Sequence, residues 1–409
     1  MSPRGAASPV HVADRVSRFS YAIRNIVAEA QKVEATGRAV RYLNIGDPIL
    51  FGFATPPHLL EAVERAMRDG HNGYTPSPGL TRAREAIAAE FAAGGQPLSP
   101  DRVVLTTGAS EGIELALTAL ADPGDEVLVP CPTYPLYTAV LAKIGARPVY
   151  YRTLPEQNFA PDLEHMSRCV TPRTRAVIVI DPNNPTGAVY SDRVRRGILE
   201  LADRHGLVVL ADEVYADLAF SGPVRPLGSL DPDALILSFS SLSKAYLAPG
   251  WRAGWIGVGQ SPRLDDLLAA LKKLADGRLC SPGPAQHAVI AALTGDRSHQ
   301  NELRRTLAER AEVTTRLLNA APVVTCAPPV AAFYAMPRVA LPPGRTDEEF
   351  VIALVRATGI LCVHGSGFGM PPSEGFLRVV FLAPPAELAE IYTQIVAFAR
   401  EFASAPARP

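Results

Sequence analysis

Residues 176–215 read AVIVIDPNNPTGAVYSDRVRRGILELADRHGLVVLADEVY. The segment opens on a five-residue apolar run and passes through a Pro/Asn/Gly turn. It continues with a stretch carrying apolar Val194, Ile198, Leu199 and Leu201, and closes on a second apolar run. Neither run alternates with polar residues, which suits strands covered on both faces. Strand, helix and strand in that order make the repeating unit of a parallel sheet.

The same alternation extends in both directions. Upstream, residues 103–107, 126–129 and 148–152 read as strands, with helices over 110–121, 136–144 and 162–170. Downstream, residues 235–239 and 254–258 supply two more strands. The pattern predicts an α/β fold: a mainly parallel, mixed sheet of the seven-stranded type between helices. Beyond residue 296 the pattern changes to a long helix over 302–318, short strands near Val323, Phe333 and Leu361, a strand over 376–382 and a final helix over 386–402. We expect an arm and part of a small domain in residues 1–45, a large ligand-binding domain in 46–295, and a smaller α+β domain in 296–409.

Composition narrows the function. The chain has 409 residues, 20% of them charged, with a net charge of -1, so no overall field favours nucleic acid or an anionic membrane. No apolar run approaches the roughly 18 residues that span a bilayer. Residues 1–14 carry no apolar signal core. The five cysteines are scattered, without a CxxC pair, which argues against a zinc site or a disulfide framework. A cytoplasmic, reduced protein is expected. No GxGxxG follows an early strand, so a Rossmann dinucleotide binder is not indicated.

In an open α/β sheet, ligands bind at the carboxyl ends of the strands. After 103–107 comes Gly108-Ala109-Ser110, small residues opening a helix, where backbone N–H groups can approach an anion. After 176–180 comes Asp181-Pro182-Asn183-Asn184-Pro185-Thr186-Gly187, a rigid turn on local grounds. After 207–211 comes Asp212-Glu213-Val214-Tyr215, and after 235–239 comes Ser241-Leu242-Ser243-Lys244, with Arg252 eight residues on. Lys244 is one of only five lysines among 40 basic residues. An amine can deprotonate and attack a carbonyl; a guanidinium cannot. An anion cup, an amine, a carboxylate and a phenol on the ends of one sheet match pyridoxal 5'-phosphate, whose aldehyde needs a lysine and whose ring nitrogen needs an acid.

The order GAS, NPTG, DEVY, SxxK, PGxRxG resembles the fold-type I, class I/II aminotransferases over nearly the whole chain. Tyr21-Ala22-Ile23-Arg24, Asn44-Ile45-Gly46-Asp47-Pro48, Pro132-Thr133-Tyr134-Pro135, Arg278-Leu279-Cys280 and the glycine-rich run 363–369 are most similar to alanine aminotransferases. The resemblance implies a transaminase that moves an amino group from an amino acid, plausibly alanine, to a 2-oxo acid such as 2-oxoglutarate, by a ping-pong route through pyridoxamine phosphate. Valine, an aromatic or an unusual biosynthetic amino acid would fit the same site, and so would a lyase or oxidase on the same scaffold.

Residue by residue, the resemblance implies that Lys244 binds the cofactor aldehyde and carries the proton between Cα and C4′. Asp212 would hold the ring nitrogen protonated, and Tyr215 and Asn184 would bond the phenolic oxygen. Gly108, Ala109, Ser110, Ser241 and Arg252 would hold the phosphate, and Tyr134 would stack on the ring. Tyr74 would reach the phosphate of a neighbouring subunit, making a homodimer with shared sites. Arg378, Gly46 and Tyr21 would bind substrate with Asn184, Arg378 clamping its α-carboxylate. An arginine inside an apolar strand is costly unless paired, which marks Arg378 on its own chemistry. Two positions depart from the family pattern: Ala331 where a glycine is expected, and Pro282 where an asparagine is frequent.

Overall fold

The computed structural model describes residues 10–17 and 26–404. Its centre is a sheet of eight strands in the spatial order Val103–Thr107, Ala253–Val258, Ile236–Ser241, Val208–Asp212, Thr174–Ile180, Glu126–Cys131, Arg147–Leu154 and Ala160–Pro161. Four neighbouring pairs are parallel, and Ala253–Val258 runs antiparallel to both of its neighbours. The mixed, mainly parallel sheet expected from the sequence is therefore present, extended by one two-residue edge strand. That strand contains a proline and has no periodicity, so sequence pattern had nothing to register.

Each face of the sheet is covered. The helices Gly108–Leu120 and Asp265–Gly277 pack on one side, where Ile113, Leu117, Val129, Ile178 and Leu271 are buried together. Asp192–His205 lies on the other, burying Ile198, Leu199, Leu201 and Ala202 beside Val177 and Val209. That helix starts where the Ser191 side chain accepts from the Val194 N–H, and it stops at Gly206 in the left-handed region. The helix expected over 162–170 is shorter, Leu163–Arg168: the Asp162 side chain is spent on the His165 N–H as its cap.

The second unit is built on the helices Ser298–Leu318, Asp347–Thr358 and Pro385–Ala403 with a three-stranded antiparallel sheet, Tyr334–Ala335, Leu377–Val380 and Val363–His364. Thr346 and Glu349 form a reciprocal capping box at the start of Asp347–Thr358. The N-terminal strand Arg41–Tyr42 pairs in parallel with Ile360–Leu361, and the helix Val27–Glu34 packs on Asp347–Thr358. Residues 27–42 thus sit with the C-terminal unit, and the chain then crosses to the large sheet. This crossing sets Gly46 opposite the ends of the large sheet's strands.

Candidate active site

A cavity of about 590 Å³ opens where the carboxyl ends of the large sheet's strands meet the small unit. It is lined by Gly46, Ala109, Ser110, Tyr134, Asn184, Asp212, Tyr215, Ser241, Lys244, Arg252 and Arg378. Eleven side chains or backbone groups read from seven separate stretches of sequence therefore share one hollow.

One end is suited to an anion. Gly108 has φ +73°, and a Cβ there would lie 2.3 Å from Arg252 Nη2. Only glycine fits both the conformation and the contact. Gly254, on the neighbouring strand, lies against the same turn: a Cβ would come within 2.5 Å of the Ala109 nitrogen. The helix start, Ser110, Ser241, Ser243 and the Arg252 guanidinium face the same space. Arg252 is held by the carbonyls of Pro249 (3.0 Å) and Thr107 (3.3 Å). Gly108 is thus a packing partner of Arg252 rather than part of the cavity lining.

The other end is a buried acid. Asp212 ends its strand and is fully enclosed; Tyr137 Oη donates to its Oδ2 at 3.0 Å. Burial pushes its carboxyl up to about 6, against the Tyr137 hydrogen bond, the Val214 N–H and the Lys244 charge, which all favour the anion. Tyr137 was not singled out from sequence. It lies one helical turn from Tyr134, and the two rings meet edge to face at 6.4 Å.

Lys244 lines the same cavity from the loop after Ile236–Ser241. Its Nζ donates to the Gly46 carbonyl at 2.8 Å and lies 5.5 Å and 5.9 Å from the Phe333 and Tyr215 ring centroids. Arg378 is 1% exposed. Its guanidinium donates to Asn184 Oδ1 (3.3 Å) and to the Asn44 carbonyl, and it is flanked by the rings of Tyr334 and Phe368 at 4.8 and 4.9 Å. Asn184 is therefore more than a turn former: the NPTG loop delivers an acceptor to the clamp.

The remaining predicted positions lie elsewhere. Tyr74 is 85% exposed and does not line the cavity; it borders a surface recess with Thr107, Cys280, Ser281 and Pro282. Tyr21 lies outside the described residues. Arg278 ties the recess to the anion end, pairing with Glu111 at 3.1 Å and donating to the Leu105 carbonyl at 2.6 Å. Ala331 is buried, and its N–H donates to the Gly187 carbonyl; it is not among the positive-φ residues, so no glycine is required there. Tyr334, unmarked in the sequence beyond its strand, lines the cavity, and the neighbouring Phe333 ring packs near Lys244.

Pyridoxal phosphate can be tested against these groups. The cup formed by a helix start, the serines and an arginine suits a phosphate. An enclosed carboxylate whose burial opposes ionisation gains from a protonated ring nitrogen, and a lysine lines the same cavity. The residues fit the group.

Comparison with known proteins agrees. A sequence model described as aminotransferase class I and II matches residues 40–395. The chain is 38% identical over 380 residues to an alanine aminotransferase of Mycobacterium tuberculosis, covering 90% of this chain and 88% of that one. It is 35% identical over 383 residues to a glutamate-pyruvate aminotransferase of Escherichia coli, covering 92% and 94%. Among solved structures, an alanine aminotransferase from Pyrococcus furiosus superposes with a TM-score of 0.92 at 39% identity, covering 96% of this chain and all of that one.

Proposed function

This chain belongs to the class I and II aminotransferases, and from that premise we propose that it is a pyridoxal phosphate enzyme exchanging the amino group of alanine with a 2-oxo acid, 2-oxoglutarate in the first instance. The observation that carries the reading is the convergence of Lys244, the enclosed Asp212 and the buried Arg378 on one cavity. When bound, the cofactor supplies an aldehyde for the amine and a ring that accepts the electrons released at Cα.

The chain's own residues do the rest. Arg378, fixed by Asn184 and Asn44, presents a guanidinium edge to the substrate carboxylate and so orients Cα. Lys244 Nζ would serve as the base that takes the substrate's Cα proton, and its ammonium would then deliver that proton to C4′. Asp212 would keep the ring nitrogen protonated, and Tyr215 Oη would donate to the phenolic oxygen. Ser110, Ser241 and Arg252 would hold the phosphate. Among the described residues, the guanidinium groups lining the cavity are those of Arg252 and Arg378. With one assigned to phosphate and one to the α-carboxylate, a small uncharged side chain such as that of alanine needs no further cation, and the distal carboxylate of 2-oxoglutarate would be met by hydrogen-bond donors instead of a lining arginine. An exchange in which the first oxo acid leaves before the second enters would show ping-pong kinetics.

We also assign a homodimer in the cytoplasm. In this reading Tyr74 reaches the phosphate of a second subunit; its support is that it is 85% exposed and borders the recess that includes Thr107, next to the anion cup. Tyr21 is assigned as a cover for the substrate.

The test is a half-reaction. Holoenzyme mixed with alanine alone should change its visible absorbance and release one pyruvate per site without ammonia; 2-oxoglutarate should then restore the spectrum. Ammonia release would make it a lyase or oxidase. A panel in which valine or an aromatic donor outpaces alanine would overturn the donor. Lys244→Ala should abolish the exchange, and full activity in that variant would remove the central assignment.

A further inference from the structure

Tyr334 is the point at which three parts of the site touch. It begins the strand Tyr334–Ala335, which pairs with Leu377–Val380, so it rides on the same small sheet as Arg378. Its ring lies across the Arg378 guanidinium at 4.8 Å. Its hydroxyl is 3.0 Å from that of Tyr215, which belongs to the large sheet's loops, and the two rings meet edge to face at 5.7 Å and 86°. Its oxygen also fills the space beside Gly46: a Cβ there would come within 2.2 Å of Tyr334 Oη. Gly46 is the residue whose carbonyl accepts from Lys244. Tyr334 is 2% exposed and lines the cavity.

We propose that Tyr334 is a positioning residue that couples the Arg378 clamp to the Tyr215 phenol. Its hydroxyl donates to Tyr215 Oη, which leaves the single Tyr215 proton for the cofactor's phenolic oxygen. Its ring holds the Arg378 guanidinium in register. The inference rests on the cofactor reading above.

A phenol has one proton to give and can accept in return. Of the two orientations of the Tyr334–Tyr215 bond, only donation from Tyr334 leaves Tyr215 able to donate onward. Hydrogen bonds in series inside a low-dielectric site polarise one another, so the first strengthens the second. The groups facing the Tyr215 phenol are Tyr334, Tyr134 and Asp212, with Lys244 Nζ 5.9 Å from its ring. Burial raises the Tyr215 phenol well above its usual 10, so it stays protonated and can act as a donor. A guanidinium over a tyrosine face is attracted by the ring and held flat against it. Movement of the small sheet that carries Arg378 therefore also moves the hydroxyl that supports Tyr215.

Tyr334→Phe keeps the ring and removes the hydroxyl. The bound cofactor's absorbance is titrated against pH in wild type and variant, with and without propionate, a carboxylate that can occupy the clamp but has no amine to react. A donor to the phenolic oxygen stabilises its more negative state, so weakening it should move the midpoint upward by roughly 0.5–1 pH unit. The displacement caused by propionate should shrink. The apoprotein should melt with wild type, and the alanine KM should stay within about 3-fold, since the ring under Arg378 remains. Tyr334→Leu, which removes the ring as well, should raise that KM by roughly 5–10-fold. A Tyr334→Phe titration identical to wild type, with and without propionate, overturns the coupling and leaves the cofactor reading standing. A wild-type protein that binds no pyridoxal phosphate overturns both.

Discussion

Asp181 and Asp212 stand side by side at the ends of neighbouring parallel strands, yet they do different things. The preceding Ile180 is in register with Asp212, and the Asp181 N–H donates to the Asp212 carbonyl at 3.1 Å. Both carboxylates are buried, and burial pushes both up to about 6. Asp181 meets Arg195 at 3.2 Å and accepts from the Tyr190 N–H at 3.0 Å, closing its own NPTG turn onto the helix Asp192–His205. Asp212 meets Tyr137 and the cavity. Two acids alike in burial and in strand position are separated by their partner: one has a protein cation, the other faces the hollow and has only the more distant Lys244. The carboxylate that lacks a dedicated protein cation is the one free to serve a ligand.

Replacing each acid by its amide should break the pair apart if this contrast is right. Asp212→Asn should lower turnover by about 10²–10³-fold, the usual loss when one preorganised charge is removed from a reacting centre. Asp181→Asn should leave turnover within a few-fold, measured at saturating alanine and 2-oxoglutarate. Equal losses in both variants would end the distinction. Stability should move in the opposite sense. Asp181→Asn leaves the nearly inaccessible Arg195 guanidinium with the Arg225 carbonyl, Asp192 at 3.5 Å and the charge of the buried Glu213, and should cost about 2–4 kcal/mol in urea unfolding of the apoprotein.

The pH dependence sharpens the same contrast. Asp212 has a folded value of about 6, above the 3.8 of a free aspartate. Between those values the folded chain keeps a proton that the unfolded chain has released. Apoprotein stability should therefore fall as pH rises from about 4 to 6 and level off above, by on the order of 1–3 kcal/mol for this residue. Asp212→Asn should flatten part of that slope and make the apoprotein more stable than wild type at pH 8, a gain in melting temperature accompanied by loss of catalysis. An unchanged slope would mean that Asp212 already finds a counter-charge without the cofactor.

The smallest expected effect is at Tyr137. Tyr137→Phe deletes one hydrogen bond to Asp212 and should cost about 1 kcal/mol, read as a roughly 5-fold fall in turnover with the fold intact. A loss as large as that of Asp212→Asn would move the decisive contact from the acid to the phenol.

Much of this site was legible before folding. Strand ends can be read from apolar runs, so Asp212, Lys244 and the GAS turn were placed at one edge of the sheet without coordinates. Arg378 stood out because an arginine is expensive inside an apolar strand. The distinction between Asp181 and Asp212 was less accessible, since both follow apolar runs and both precede turn residues. Tyr137 and Tyr334 were invisible for a different reason: an aromatic on a helix face or in a short strand reads as core, and both are buried as core residues are. Tyr74 was marked by its surroundings in sequence, but its own chain leaves it at the surface.

The sequence by itself determined the α/β order, the family and the chemical groups on each strand end, because backbone periodicity and residue chemistry are local. Only the tertiary structure decided which groups meet. Lys244 reaches the Gly46 carbonyl across 198 residues, and Arg378 reaches Asn184 across 194. Those contacts depend on how the small unit seats against the sheet, and that seating is set by packed side chains from both ends of the chain rather than by any one segment.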